Sequence, residues 1–106
     1  MRVAKLIPKG VEDIVIALCA DYERREAALK EHSVGYRVES EYRYYNRRML
    51  AAAAKIGGSY AAVIYIREIG GRIGYARSEL YHIAESTYKK RKRMIKEGIA
   101  ECLNLI

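Results

Sequence analysis

Apolar residues recur along this chain at three- and four-residue steps, and glycines mark where the rhythm resets. From about Val11 to Lys30, the residues Val11, Ile14, Val15, Leu18, Tyr22, Arg25 and Leu29 share one stripe, while Glu12, Asp13, Asp21, Glu23 and Arg24 lie off it. That spacing predicts one amphipathic helix. Glu12 and Asp13 stand in its first turn and Lys30 in its last, as the helix dipole favours. His32-Ser33-Val34-Gly35 reads as a break. A second long helix is predicted over Tyr36–Ile56, stopped by Gly57-Gly58. Its seam (Val38, Tyr42, Tyr45, Met49, Ala52, Ile56) follows a heptad rhythm, which calls for side-by-side packing against another long helix. The first helix is the natural partner, giving a long antiparallel hairpin over residues 10–56. The same seam would serve to pair two copies of the chain, and the run Ala51–Ala54 permits close approach.

The remaining elements are shorter. Residues 1–9 form a lead-in, with Pro8 suited to a first helical turn. Ser59 is placed to cap a helix over Tyr60–Ile69 whose buried face is Ala62, Val63, Ile66 and Ile69. A strand over residues 61–66 is the alternative, since Val63, Ile64, Tyr65 and Ile66 suit a pleat, but it would have no partner. After Gly70-Gly71 and a turn at residues 72–75, a short helix is predicted over Arg77–His82. Ala84-Glu85-Ser86 then turns the chain, with Ser86 as N-cap of a last helix. In that helix Tyr88, Ile95, Ile99, Cys102 and Ile106 form the buried stripe. At about 100° per residue, Lys89, Lys90, Arg93, Lys96 and Glu97 project to the opposite side, with Arg91 and Lys92 flanking. The fold class is therefore all-α, a single domain made of a helical hairpin followed by a short helix and a two-helix unit over the last third.

Charge adds direction to this picture. The chain of 106 residues has a formal charge of +7. Residues 1–33 and 59–85 balance, so the excess falls on 34–58 (five cations against two acids) and 86–106 (six against two). Concentrated positive charge of this kind points to nucleic acid. The candidate contacts are Ser86, Thr87, Lys89, Lys90, Arg91, Lys92, Arg93 and Lys96 on the last helix. Arg43, Tyr44, Arg47 and Arg48 on the second are candidate phosphate-backbone contacts beside it. Arg93 is the best placed for paired hydrogen bonds to guanine.

Other chemistries find little here. Cys19 and Cys102 belong to no CxxC pair and read as reduced thiols on helix faces, while His32 and His82 lack neighbours at metal-ligand spacing. Gly70-Gly71-Arg72-Ile73-Gly74 lacks the Lys-Ser/Thr ending of a phosphate loop. No enzyme, cofactor or metal site is expected. With no apolar run long enough for a membrane span and no leader pattern, a cytoplasmic protein is the expectation.

The run Ile83-Ala84-Glu85-Ser86-Thr87-Tyr88 and the cations after it resemble the turn and recognition-helix start of helix-turn-helix domains of the sigma-factor region 4 type. Residues 75–106, including Gly74-Tyr75 before them and Ile99-Ala100-Glu101-Cys102-Leu103-Asn104-Leu105-Ile106 at the end, are similar to small phage and prophage regulators of the ArpU/RinA type. The resemblance implies a dimeric, sequence-specific binder of double-stranded DNA that regulates transcription. Ser86 and Thr87 would lie at phosphates or base edges, Lys89, Lys90 and Arg93 in the groove, and Arg91 and Lys92 at flanking phosphates. The chain departs from that pattern before the turn, where Ala76-Arg77-Ser78 replaces a Glu-Ile-Ala-like start and His82 stands in place of a glycine. Two other roles fit the same residues: a recombination directionality factor or small terminase-like subunit, and an accessory protein docking on RNA polymerase, a recombinase or another nucleoprotein complex.

Overall fold

The structure is a computed structural model that describes residues 7–106. Of the lead-in, residues 1–6 lie outside the described part. Five α-helices follow: α1 (Lys9–Ala20), α2 (Tyr22–Glu31), α3 (Tyr36–Gly57), α4 (Ser59–Gly70) and α5 (Glu85–Cys102), with a 3-10 turn at Tyr75–Arg77. No strand occurs among the described residues, so the strand alternative for residues 61–66 is set aside in favour of helix. The all-α class is as expected, but its arrangement differs in two places.

The first difference is a break. The helix expected over Val11–Lys30 is two helices, parted at Asp21 (φ −98°, ψ 1°). Arg25, a member of the expected stripe, bolts the junction to α3. Its Nε donates to Asn46 Oδ1 at 2.7 Å, and its Nη2 donates to the Leu18 carbonyl at 2.6 Å. Asn46 in turn donates to the Tyr22 carbonyl at 3.1 Å. Arg25 and Asn46 are both 3% exposed, and buried polar groups persist only when satisfied in this way. Beyond the break the two halves part company. α2 packs along α3, whereas α1 packs on α4 and α5. The antiparallel pair is thus α2 with α3, and the seam of α3 is filled inside one chain, with Met49 and Ala52 buried.

At Gly58 the backbone takes φ 86°, a conformation glycine adopts without strain, and α4 leaves α3 at a bend of 113°. Ser59 lies inside α4 and makes no side-chain cap bond. At its far end, α4 touches the end of α1 so closely that a Cβ at Gly70 would stand 2.4 Å from the Ala20 backbone nitrogen. Only glycine fits there. Val15, Met49, Tyr65, Ile66, Tyr88, Ile95 and Ile99 fill the core between these helices, the aliphatic ones and Met49 each contributing about 1.5–3 kcal/mol by leaving water.

The second difference lies in residues 71–84. The helix expected over Arg77–His82 is replaced by the 3-10 turn and a series of hydrogen-bonded turns. Ser78, in the middle of the expected helix, explains why. Its Oγ donates to the buried carboxylate of Glu68 at 2.6 Å and accepts the Leu80 amide at 2.8 Å. The Glu79 amide donates to the same carboxylate at 2.8 Å, and the Tyr75 hydroxyl shares its proton between the carbonyls of Tyr81 and Ile83. Side chains thus take the backbone groups that a helix would have used. The final helix then starts at Glu85 with Ala84 as N-cap, so Ser86 stands in the first turn and caps nothing. No single helix among the described residues is long and apolar enough to cross a membrane.

Candidate nucleic-acid interface

The basic run at the start of α5 divides into two groups once its surroundings are in place. Tyr88, Ile95 and Ile99 are buried as the stripe required. Lys92, one turn from Tyr88, is drawn in with them. Its Nζ donates to the Ile73 carbonyl at 2.7 Å and lies 5.0 Å from the centre of the Tyr88 ring. Burial holds its ammonium below the usual lysine range, the nearby Lys96 adding to the effect. Lys96 reaches back to α1, 3.3 Å from Glu12, with only 19% of its side chain exposed. Glu97, expected on the outer face, is buried. The reason is that α1 and α3 cover the C-terminal half of α5. A Cβ at Gly98 would stand 3.5 Å from the Ala52 side chain, so little of this half meets water.

The other group stays outside. Lys90 and Arg93 are exposed and Arg91 is half-buried. None of the three pairs with an acid among the described residues. Lys89 is bridged to Glu85 at 2.7 Å, but both side chains are more than half exposed. Such a bridge is worth little and yields readily to a competing anion. Ser86 is exposed and Thr87 half-buried in the first turn, their hydroxyls beside Lys89 and Lys90 in sequence. Of the eight residues assigned from the sequence to α5, Lys92 and Lys96 are therefore structural supports of the cationic turn rather than part of its outer surface.

The second cationic face runs along the outside of α3. Arg43, Tyr44, Arg47 and Arg48 line one shallow groove together with Ser40 and Ala51. Arg43 donates to Glu39 at 2.7 Å, which with His32 holds that carboxyl below its ordinary range. The Arg48 guanidinium lies 4.4 Å from the centre of the Tyr44 ring, a cation–π contact that orders it in the open. Arg47 is exposed, and no acid among the described residues pairs with it or with Arg48. Arg37 and Lys55, both exposed, extend the row. Sequence reading passed over Arg37, although Arg37, Tyr44, Arg48 and Lys55 follow heptad steps on an exposed flank beside the buried seam.

The Arg43–Arg48 part of the α3 face lies away from the Gly57 end, where the basic half of α5 sits. Tyr88 stacks on Tyr65 with ring centres 5.9 Å apart, and the Tyr65 ring lies against Gly57, where a Cβ would meet it at 2.6 Å. The basic half of α5 thus belongs to the Gly57 end of α3. Arg43–Arg48 lie roughly 15–20 Å back along the α3 axis at 1.5 Å per residue. Lys55, near the Gly57 end, lines a cleft with Met94 and Gly98 of α5, so the α3 row runs from the flank of α5 back to Arg43.

Cys19 is buried and Cys102 half-buried, both as free thiols, and burial pushes the Cys19 thiol up to about 12. Among the described residues no cluster of His, Cys, Asp or Glu is arranged to hold a metal ion. No protein-family model matches the chain, and neither a search of curated proteins nor one of solved structures finds a match.

Proposed function

We propose that this chain binds double-stranded DNA, gripping phosphates with the N-terminal half of α5. The observation that carries the reading is the presentation of Lys90, Arg91 and Arg93 without acidic partners among the described residues, with Lys89 held only by an exposed bridge. Cations in that state gain by neutralising phosphates and releasing counterions. In the form the sequence resemblance suggests, the protein is a phage or mobile-element transcriptional regulator, and Ser86, Thr87 and Arg93 meet base edges.

One observation favours a second role for the same surface. The helix that should precede a recognition helix is a pinned loop, and a second cationic face lies along α3. That combination suits a protein that gathers or bends DNA through its backbone, as a directionality factor or packaging subunit does, more than one that reads a groove. Fluorescence anisotropy with a duplex across a salt series tests binding itself. Log affinity should fall linearly with log salt, with a slope of roughly −3 to −4 if the four cations of α5 each neutralise one phosphate. An absence of binding at low salt would remove both roles. Selection from random duplexes then separates them, since enrichment of one sequence supports the regulator and none supports the architectural role. The mass of the complex reports whether one or two copies engage each site.

A further inference from the structure

Helix α4 ends on a left-handed residue that is not glycine. Arg72 takes φ 53°, while the neighbouring Gly71 sits at φ −83°. The Arg72 and Ile73 amides bond back to the carbonyls of Ile69 and Glu68 at 3.2 and 3.0 Å. This is the helix ending whose left-handed position normally goes to glycine. His32 and Asn104 follow α2 and α5 in the same conformation, so the backbone alone marks no site, but Arg72 shares a cleft with other cations.

Arg72 lines a cleft of about 250 Å³ between α1, the end of α4 and α5, together with Lys92, Lys96 and Glu12, over Ile16 and Ile69. Glu12 pairs with Lys96 at 3.3 Å, Glu68 favours the charge of Lys92 from nearby without bonding to it, and Arg72 pairs with no acid among the described residues. The case of Lys92 is the sharper one. One of its three N–H bonds is given to the Ile73 carbonyl and the Tyr88 ring lies beside it. Its other two donors have no partner among the described residues. The nearby Glu68 carboxylate already accepts from Ser78, Glu79 and Tyr88. A half-buried ammonium with only neutral direct partners is costly, and an entering anion would offset that cost. The apolar floor strengthens any such attraction.

We propose that this cleft is a binding site for a phosphate monoester dianion, with Arg72 and Lys92 as its ligands and Lys96 adding to the field. The site is independent of the duplex-binding surface and stands or falls on phosphate alone. The same chemistry has two sources, a free phosphate or small phosphorylated metabolite and the 5′-terminal phosphate of a nucleic-acid strand.

The test titrates isotope-labelled protein with inorganic phosphate at constant ionic strength, with chloride as the control, and follows backbone amide resonances. Saturable shifts confined to residues 72–74 and 92–96 are expected. Arg72→Gly and Lys92→Met should each weaken phosphate binding about tenfold or more, the usual scale for losing a charge-assisted hydrogen bond. Arg72→Gly is the decisive variant because glycine suits the left-handed slot. It should unfold at or above the parent's midpoint, so its loss of binding cannot be put down to misfolding. Shifts that chloride reproduces, or phosphate affinity unchanged in both variants, overturn the site. A second arm compares duplexes with and without a 5′-phosphate. Tighter binding of the phosphorylated duplex that Arg72→Gly abolishes supports the site and assigns the strand end, whereas saturable binding of inorganic phosphate with no preference between duplexes supports it and assigns the free anion.

Discussion

Helices α3 and α5 both present positive charge, and they come by it differently. In α5 the cations are consecutive, Lys89 to Arg93. Five successive residues at about 100° each sweep the whole circumference of a helix, so some must point inward. Lys92 does, onto the Ile73 carbonyl. In α3 the cations are spaced: Arg37, Arg48 and Lys55, with Tyr44 between, sit at heptad steps and share an exposed flank beside the buried Met49 and Ala52. None of these is drawn into the core, and Arg43 is the member tied to an acid. A dense run in sequence therefore overstates its exposed charge, while a dilute but periodic one delivers nearly all of it. The α3 face rests on a helix of 22 residues, whereas the basic half of α5 rests on the loop of residues 71–84.

That dependence gives the most disruptive way to separate the two faces. Glu68→Ala removes the acceptor shared by Ser78, Glu79 and Tyr88 and leaves buried donors unpaired. A loss of about 3 kcal/mol is expected, read from the denaturant midpoint. Hydrogen exchange at 71–84 should accelerate beyond that of the α3 amides. If exchange rises equally in α3, the loop is not the separate support described here.

Smaller, but closer to function, is a pair of double substitutions. Lys90→Ala with Arg93→Ala should flatten the slope of log affinity against log salt by roughly 1.8, at about 0.9 per phosphate contact. Arg47→Ala with Arg48→Ala should flatten it as much only where one duplex spans both faces, and not at all where α5 acts alone. Lys92→Met should leave the slope on an unphosphorylated duplex unchanged, because that ammonium lines the cleft beside Arg72 and not the outer face of α5. A slope insensitive to the Lys90 and Arg93 pair sinks the proposed contact.

The sequence made some of this legible and concealed the rest, for reasons that particular residues show. The seam of α3 and its stop at Gly57-Gly58 depend on local periodicity, so they could be read directly. α4 was recognised as helix over strand because its residues had no strand to pair with. The break at Asp21 was hidden because Arg25 looks like an ordinary stripe position, and its partner Asn46 is twenty-one residues away. Loss of the helix at residues 77–82 had a trace in the sequence, since Ala76-Arg77-Ser78 and His82 depart from the pattern they resemble, but the Glu68 acceptor that enforces it is tertiary. For the candidate site, Lys90 and Arg93 remain outside as projected, and Arg91 is half-buried on the flank where it was projected. Lys92 and Lys96 could not be sorted from them without knowing that the loop and α1 close over that flank.

The mildest prediction concerns what lies under the α5 face. Tyr88 is 1% exposed. Burial first, and then its hydrogen bond to the Glu68 carboxylate, push its phenol from 10.0 up to about 12. An unfolded chain loses that proton near pH 10 while the folded one keeps it until near pH 12. Between those values the folded state holds more protons, so stability must fall as pH rises, and the full contribution is present only below pH 10. Tyr88→Phe lacks the titrating group. At neutral pH it should be less stable than the parent by about 1 kcal/mol, for the hydrogen bond lost to Glu68. The gap in denaturant midpoint should close above pH 10 and reverse sign before pH 12, because only the parent pays to keep its proton and a shift of about two units outweighs the hydrogen bond. Titrating groups common to both proteins, including Lys92 with its lowered value, cancel in the difference. A gap that stays constant over that range would mean that the hydroxyl faces water, and the loop would then not seal the inner side of α5.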